Sequence, residues 1–228
     1  MHFLIIGLIL VIIIFGPQLW AKRTFAKYNG HRQDFPGTGG ELAKHLINTY
    51  KLKSVNVEQT QQGDHYDPTS KTVRLSPSNY NGKSLTAIAV AAHEIGHAIQ
   101  DAENNPMLSW RTRLVKTTQV AEQISALAFI GIPIITAITR APSAGALLFF
   151  IAIGSMLLSA LVHLVTLPVE LDASFGKALP ILKKGQYISD NDVNGANKIL
   201  KAAALTYVAG SLASLLNLAR WIALLKRR

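Results

Sequence analysis

The residues with the clearest chemical meaning lie in one short stretch, 87–100, which reads AIAVAAHEIGHAIQ. His93, Glu94 and His97 form an H-E-x-x-H pattern within it. On a helix, residues four apart share one face, so both imidazoles can be aimed at a single metal ion. Glu94, one residue on from His93, is within reach of a water on that ion. Three protein ligands and one water is how a hydrolytic Zn²⁺ is held, and the metal lowers the water's pKa to roughly 7. Glu94 then takes the water's proton and passes it to a leaving amine. The chain has no cysteine. A thiolate zinc site and a thiol nucleophile are therefore excluded, and His, Asp and Glu must supply every ligand.

The elements around the motif must hold it as a helix. Ala87, Ala89, Ala91, Ala92 and Ala98 are small helix formers, and no proline interrupts them. Gly96 costs about 1 kcal/mol against alanine in a helix interior. A second element packed closely over the metal would explain that cost. Upstream, Phe35-Pro36-Gly37 makes a turn and Thr38 can cap a helix running to about Leu52, with Leu42, Leu46 and Ile47 on one face. Residues 55–60 alternate apolar and polar, as a half-buried strand does. Turn residues follow at Gln62-Gly63-Asp64 and Asp67-Pro68-Thr69-Ser70. Residues 71–76 then read as a second short strand, and Ser84 or Thr86 starts the helix of the motif. A strand just before a metal-binding helix can offer an open edge to an extended peptide, which makes Thr72, Val73, Arg74 and Leu75 a candidate substrate edge. His65, between Asp64 and Tyr66, is a candidate for stabilising an oxyanion.

Composition suggests a membrane protein. Of 228 residues, 49% are hydrophobic and only 16% charged, and the apolar residues come in blocks. Residues 3–15 are almost wholly apolar and precede Trp20, Lys22 and Arg23, as in an uncleaved anchor. Residues 124–139 and 144–169 are two further runs joined by the turn at Arg140–Ser143, a predicted transmembrane hairpin. Residues 22–116 hold 13 Lys+Arg, against Arg140 alone in the turn between those runs, which places the polar block and its motif in the cytoplasm. The overall balance of 23 Lys+Arg to 13 Asp+Glu, a net +10, fits such loops. No nucleic-acid-binding motif accompanies the charge, so nucleic acid is not an expected partner. The chain divides into an anchor (1–21), a cytoplasmic part with the motif (22–118), the hairpin (119–169), a cytoplasmic segment (170–201) and a last apolar helix (202–228).

Two crossings return the chain to the side it left, and Glu170-Leu171-Asp172-Ala173-Ser174 comes directly after them. Glu170 is placed to be the third metal ligand, with Asp172 as its rival. On a helix the two lie about 200° apart, so only one can face the ion. Glu170 shares its face with Ser174. His163, ionisable and inside the second run, is a further candidate at membrane depth. Tyr207, on the small-residue run at 202–219, can also face the site.

Three blocks together resemble the YugP-like family of bacterial membrane zinc metallopeptidases: DHYDPTSKTVRLSPSNYNGKSLTAIAVAAHEIGHAIQ at 64–100, TLPVELDAS at 166–174 and ALTYVAGSLASLL at 204–216. The resemblance implies a neutral zinc peptidase of the cell membrane, with His93 and His97 as ligands and Glu94 as the catalytic residue. More remotely the order of parts is similar to the HtpX and CAAX-protease clan, which also places a Glu ligand after a membrane hairpin. That likeness supports Glu170. The clan usually has Asp four residues after this ligand, where this chain has Ser174.

The reading is a mainly α membrane protein with a zincin-like α+β cytoplasmic part and transmembrane helices, lying in several passes in the cell membrane with its site facing the cytoplasm. It is a zinc metalloendopeptidase of the gluzincin type, with Zn²⁺ on His93, His97 and Glu170. Asp172, Ser174, His65, Tyr207 and His163 are candidates for the surroundings of the site. Its partners are a peptide or membrane-protein substrate and the lipid bilayer; nothing in the chain signals an oligomeric state. Two rivals are a non-catalytic scaffold stabilised by zinc and an intramembrane protease. The second would need the motif inside a span, but only about 13 apolar-leaning residues surround it, too few to cross.

Overall fold

A computed structural model describes residues 2–140 and 142–206 of the chain. The elements in order are α1 (His2–Lys27), α2 (Gly39–Thr49), β1 (Asn56–Gln59), β2 (His65–Asp67), β3 (Thr72–Leu75), α3 (Pro77–Tyr80), α4 (Leu85–Ala102), α5 (Pro106–Thr139) and α6 (Pro142–Leu171). A π-helical segment (Asp172–Ala178), α7 (Leu179–Lys184) and a helix over 193–206, here α8, complete it. The chain forms two compact units. One takes in residues up to Phe15 and Trp110–Thr166, and is built from long helices. The other, Gly16–Ser109 with Leu167–Thr206, holds the sheet and all of α4.

In the second unit α4 is the axis. Every residue from Leu85 to Gln100 is buried, as expected for a helix that is apolar all round rather than along one stripe. Its start is fixed by a side-chain cap, with Ser84 Oγ accepting from the Ala87 amide at 3.1 Å. Ser84 Oγ also donates to Asn29, and Thr86 Oγ1 donates to the Phe25 carbonyl at 2.9 Å, so the end of α1 pins the beginning of α4. Around α4 pack Leu46 of α2, Val73 and Leu75 of β3, Leu182 of α7, and Ile199 and Leu200 of α8, all essentially inaccessible to solvent. Each such side chain contributes about 1.5–3 kcal/mol on burial. Thr38 caps α2 as its residue type predicts, and Glu41 returns the bond to the Thr38 amide at 2.7 Å, completing a capping box. The helix ends earlier than Leu52, because Lys51 turns the chain with φ 55°.

The sheet corrects one expectation. Its strand order is β1-β3-β2, with β1 parallel and β2 antiparallel to β3. Thr72, Val73, Arg74 and Leu75 therefore form the central strand, and no open edge is left there for a peptide. The third strand is β2, which includes His65 and pairs it with Arg74. Val73 and Leu75 face inward, whereas Arg74 points out and pairs with Glu58 and, at 3.0 Å, with Asp67. Tyr66 and Lys71 both donate to Asp101, tying the sheet to the last turns of α4.

A second correction concerns the membrane. Among the described residues no helix is long and apolar enough to cross one. A crossing needs about 20 successive apolar residues, and helix length is not apolar length. α1 closes on Lys22, Arg23 and Lys27, and the early turns of α5 carry Arg111, Arg113 and Lys116. The reading as a mainly α membrane protein with transmembrane helices, lying in several passes in the cell membrane with its site facing the cytoplasm, is overturned on this ground. The described part of the protein is helical with a small three-stranded sheet. The last apolar run, 202–219, is described only to residue 206.

Gly96 shows how tightly α4 is covered. A Cβ at this position would lie 2.7 Å from the backbone carbonyl oxygen of Ala173, in the π-helical segment. The neighbour foreseen from the cost of a mid-helix glycine is thus the backbone between Glu170 and Ser174. Lys177 holds the same segment through Glu103 at the end of α4, at 2.6 Å.

Two outcomes are expected. Gly96→Ala should gain about 1 kcal/mol of helix propensity and lose about 1–3 kcal/mol to overpacking against backbone. A net fall in stability on chemical denaturation checks this; a more stable variant would refute the contact. Burial pushes the Asp67 carboxyl up, but hydrogen bonds from Ser70, the Thr69 amide and Arg74 outweigh it and hold the group well below the usual carboxylate range. Its stabilisation is then fully present above the unfolded value of about 3.9 and is lost as pH falls towards the lower folded value. Solvent screening limits it to about 1 kcal/mol. Denaturation midpoints measured from pH 6 down to pH 3 should fall less steeply in Asp67→Asn than in the parent.

Candidate metal centre

Helical spacing puts His93 and His97 on one face of α4, with ring centroids 4.8 Å apart and the rings near perpendicular. Both are buried, and so is Glu94 between them. Glu170 enters from the last turn of α6, fully buried. Its Oε2 lies 3.3 Å from His93 Nε2 and 3.2 Å from His97 Nε2. The three ligand atoms lie within 4.8 Å of one another, and this is the group among the described residues able to hold a metal ion.

The outward-facing ring nitrogens are also engaged, and their partners decide where the protons sit. His93 Nδ1 is 3.1 Å from Ser174 Oγ, and Ser174 donates its hydroxyl hydrogen to the Leu200 carbonyl at 3.3 Å. The hydroxyl therefore accepts from His93. His97 Nδ1 is 3.0 Å from Gln100 Oε1, an atom that can only accept. Both imidazoles accordingly carry hydrogen on Nδ1, and both Nε2 atoms face the Glu170 carboxylate, that of His97 at hydrogen-bond distance. Two ring nitrogens and a carboxylate this close in a buried space call for positive charge between them, a proton or a metal ion. Two imidazoles and one carboxylate are the donor set of a hydrolytic zinc centre. With bonds of about 2.0–2.1 Å at tetrahedral angles, neighbouring ligand atoms stand about 3.3 Å apart. The two imidazole–carboxylate separations match that spacing, so the residues fit Zn²⁺.

The backbone after Glu170 explains the rest of the cluster. α6 gives way at Asp172 to a π-helical segment, in which the Leu179 amide reaches back five residues to the Ser174 carbonyl. Such wide turns are rare and concentrate at functional sites. Glu170 faces the histidine nitrogens and Ser174 the back of His93, while Asp172 accepts from Gln100 Nε2 at 2.8 Å. Asp172 is thus one step removed from the imidazoles, behind Gln100, and is not in the ligand group. His65 is not in it either; its Nδ1 bonds the Gly63 carbonyl at 2.9 Å within its own turn. The His163 side chain and Tyr207 lie outside the described residues. Gln100 escaped the sequence reading. The signal was its spacing three residues after His97, on the same helical face, but an amide carries no mark of metal chemistry by itself.

Comparison with known proteins agrees with this donor set. The family model described as "Putative neutral zinc metallopeptidase" matches residues 3–226. The chain is 38% identical over 221 residues to the Bacillus subtilis (strain 168) protein named "Putative membrane protease YugP", covering 93% of each chain. No solved structure matches. With two buried histidines of an H-E-x-x-H helix facing a glutamate from the last turn of α6, and a family model matching almost end to end, the chain belongs to the neutral zinc metallopeptidase family.

Proposed function

We propose that the protein hydrolyses internal peptide bonds, with His93, His97 and Glu170 holding Zn²⁺ and Glu94 moving the protons. The observation that carries this reading is the convergence of both Nε2 atoms on the Glu170 carboxylate, with both Nδ1 hydrogens already committed elsewhere. When bound, zinc lowers the pKa of water to about 7 and polarises the carbonyl under attack. The chain's own residues account for the remaining steps. His93 and His97 are oriented by Ser174 and Gln100, whose contacts at Nδ1 leave Nε2 for the metal. Glu94, next to His93 in the chain, is buried, so a proton its carboxylate takes from the attacking water is not lost to solvent. It returns that proton to the amine as the peptide bond breaks. Burial of the whole group excludes bulk water and strengthens each electrostatic contact.

A closed structural zinc site would have four protein ligands, whereas among the described residues the cluster has three, which favours an enzyme. The purified full chain should cleave a quenched fluorescent peptide, and a chelator should abolish cleavage with helix content unchanged. Glu94→Gln should bind zinc as the parent does while hydrolysis falls about 10²–10⁴-fold. His97→Ala should lose both. Undiminished hydrolysis by Glu94→Gln would rule the mechanism out.

A further inference from the structure

Gln100 is fully buried, and each of its polar atoms has a partner that constrains its orientation. Its amide nitrogen donates to the Val169 carbonyl at 2.9 Å and to Asp172 Oδ2 at 2.8 Å, while its oxygen faces His97 Nδ1 at 3.0 Å. Turning the amide over would set its oxygen against two acceptors, so the two partners of the nitrogen fix where the oxygen points. Val169 is the residue before Glu170. One side chain of α4 therefore touches a ligand of α4 and the backbone beside the ligand from α6. The Asp172 carboxylate occupies space left by the missing side chain of Gly176, where a Cβ would collide with Oδ1. That placement gives the Gln100 amide a charged acceptor, which makes the hydrogen bond stronger than a neutral one. His93 has a weaker counterpart, since Ser174 leads only to a neutral backbone carbonyl.

We propose that Gln100 is the positioning residue of the metal centre: oriented by Asp172 and Val169, it fixes His97 as the Nδ1–H tautomer and registers the Glu170 end of α6 against α4. Asp172 acts through it rather than on the metal. The inference rests on the reading of His93, His97 and Glu170 as a zinc site. It predicts that the two histidines are unequally supported, and that removing the support of His97 costs more zinc affinity than removing that of His93.

The test measures zinc affinity of the purified full chain by competition with a chromophoric chelator. It also reads the His97 tautomer in the metal-free protein from ¹⁵N shifts of labelled histidine. Gln100→Met, close in volume and without the hydrogen bonds, should bind zinc about 10–100-fold more weakly. Its His97 should show a mixture of tautomers. Asp172→Ala should fall about tenfold, and Ser174→Ala by less. Asp172→Asn, whose side-chain oxygen still accepts from Gln100, should recover most of the affinity. Zinc binding by Gln100→Met and Asp172→Ala within about twofold of the parent would overturn the proposal, as would Asp172→Asn binding no better than Asp172→Ala. If Gln100→Met does not fold, as circular dichroism will show, the two Asp172 variants decide alone. A parent chain that binds no zinc would instead sink the metal reading, and this inference with it.

Discussion

Two imidazole lone pairs and one carboxylate are pressed together in a place that water does not reach, and nearly everything else in the second unit follows from that. The buried Glu170 carboxylate lies within hydrogen-bond distance of both ring nitrogens, so its charge is balanced at its front by positive charge, a proton or a metal ion. Folding must therefore bring the three groups into register. The devices that do so are visible: a helix buried all round, a glycine that admits a backbone at van der Waals range, and hydrogen bonds that lock each ring from behind. This is the usual coupling between a metal site and its fold, in which binding energy and packing energy cannot be separated.

The wide turn after α6 reconciles demands that a regular helix cannot meet together. At α-helical spacing Glu170 and Asp172 point about 200° apart, and only one could serve the centre. Here both serve it at different depths. Glu170 meets the ring nitrogens, and Asp172 meets the amide that holds one ring. Ser174 then reaches the other ring. The price is a break in helical regularity at Asp172–Ala178, offset by the close fit of Ala173 over Gly96 and by the Lys177–Glu103 pair.

What could be read in advance followed from how local each signal was. His93, Glu94 and His97 are legible because four-residue spacing on a helix is itself the geometry of the site. Glu170 was legible only as the first carboxylate to follow a long apolar run, with no signal of its own. Gln100 was not, because an amide is ambiguous until its partners are known, and Val169 and Asp172 lie about 70 residues further along. The strands show the same divide. β1 and β3 were found from alternation, but three residues of β2 are too few to alternate, so β3 was taken for an edge when it is flanked on both sides. The membrane reading failed for a related reason. It measured apolar runs against the thickness of a bilayer, whereas among the described residues no helix is long and apolar enough to cross one.

Charge bookkeeping joins the site to its surroundings. Two neutral imidazoles and the Glu170 carboxylate neutralise only half of a divalent cation, leaving one positive charge in a buried space. Glu94, next to His93 in the chain, is a further buried carboxylate of α4. Were either histidine protonated, the excess would double and the lone pair needed for coordination would be gone. The hydrogen bonds behind the rings act from the far side: a ring that donates from Nδ1 presents Nε2 to the ion and is a stronger ligand there. Asp172 adds negative charge one residue further out, where it steadies the Gln100 amide without entering the ligand group. Glu170 in contact with the ring nitrogens and Asp172 behind Gln100 thus stand at two depths from the histidines, and only the nearer belongs to the ligand group.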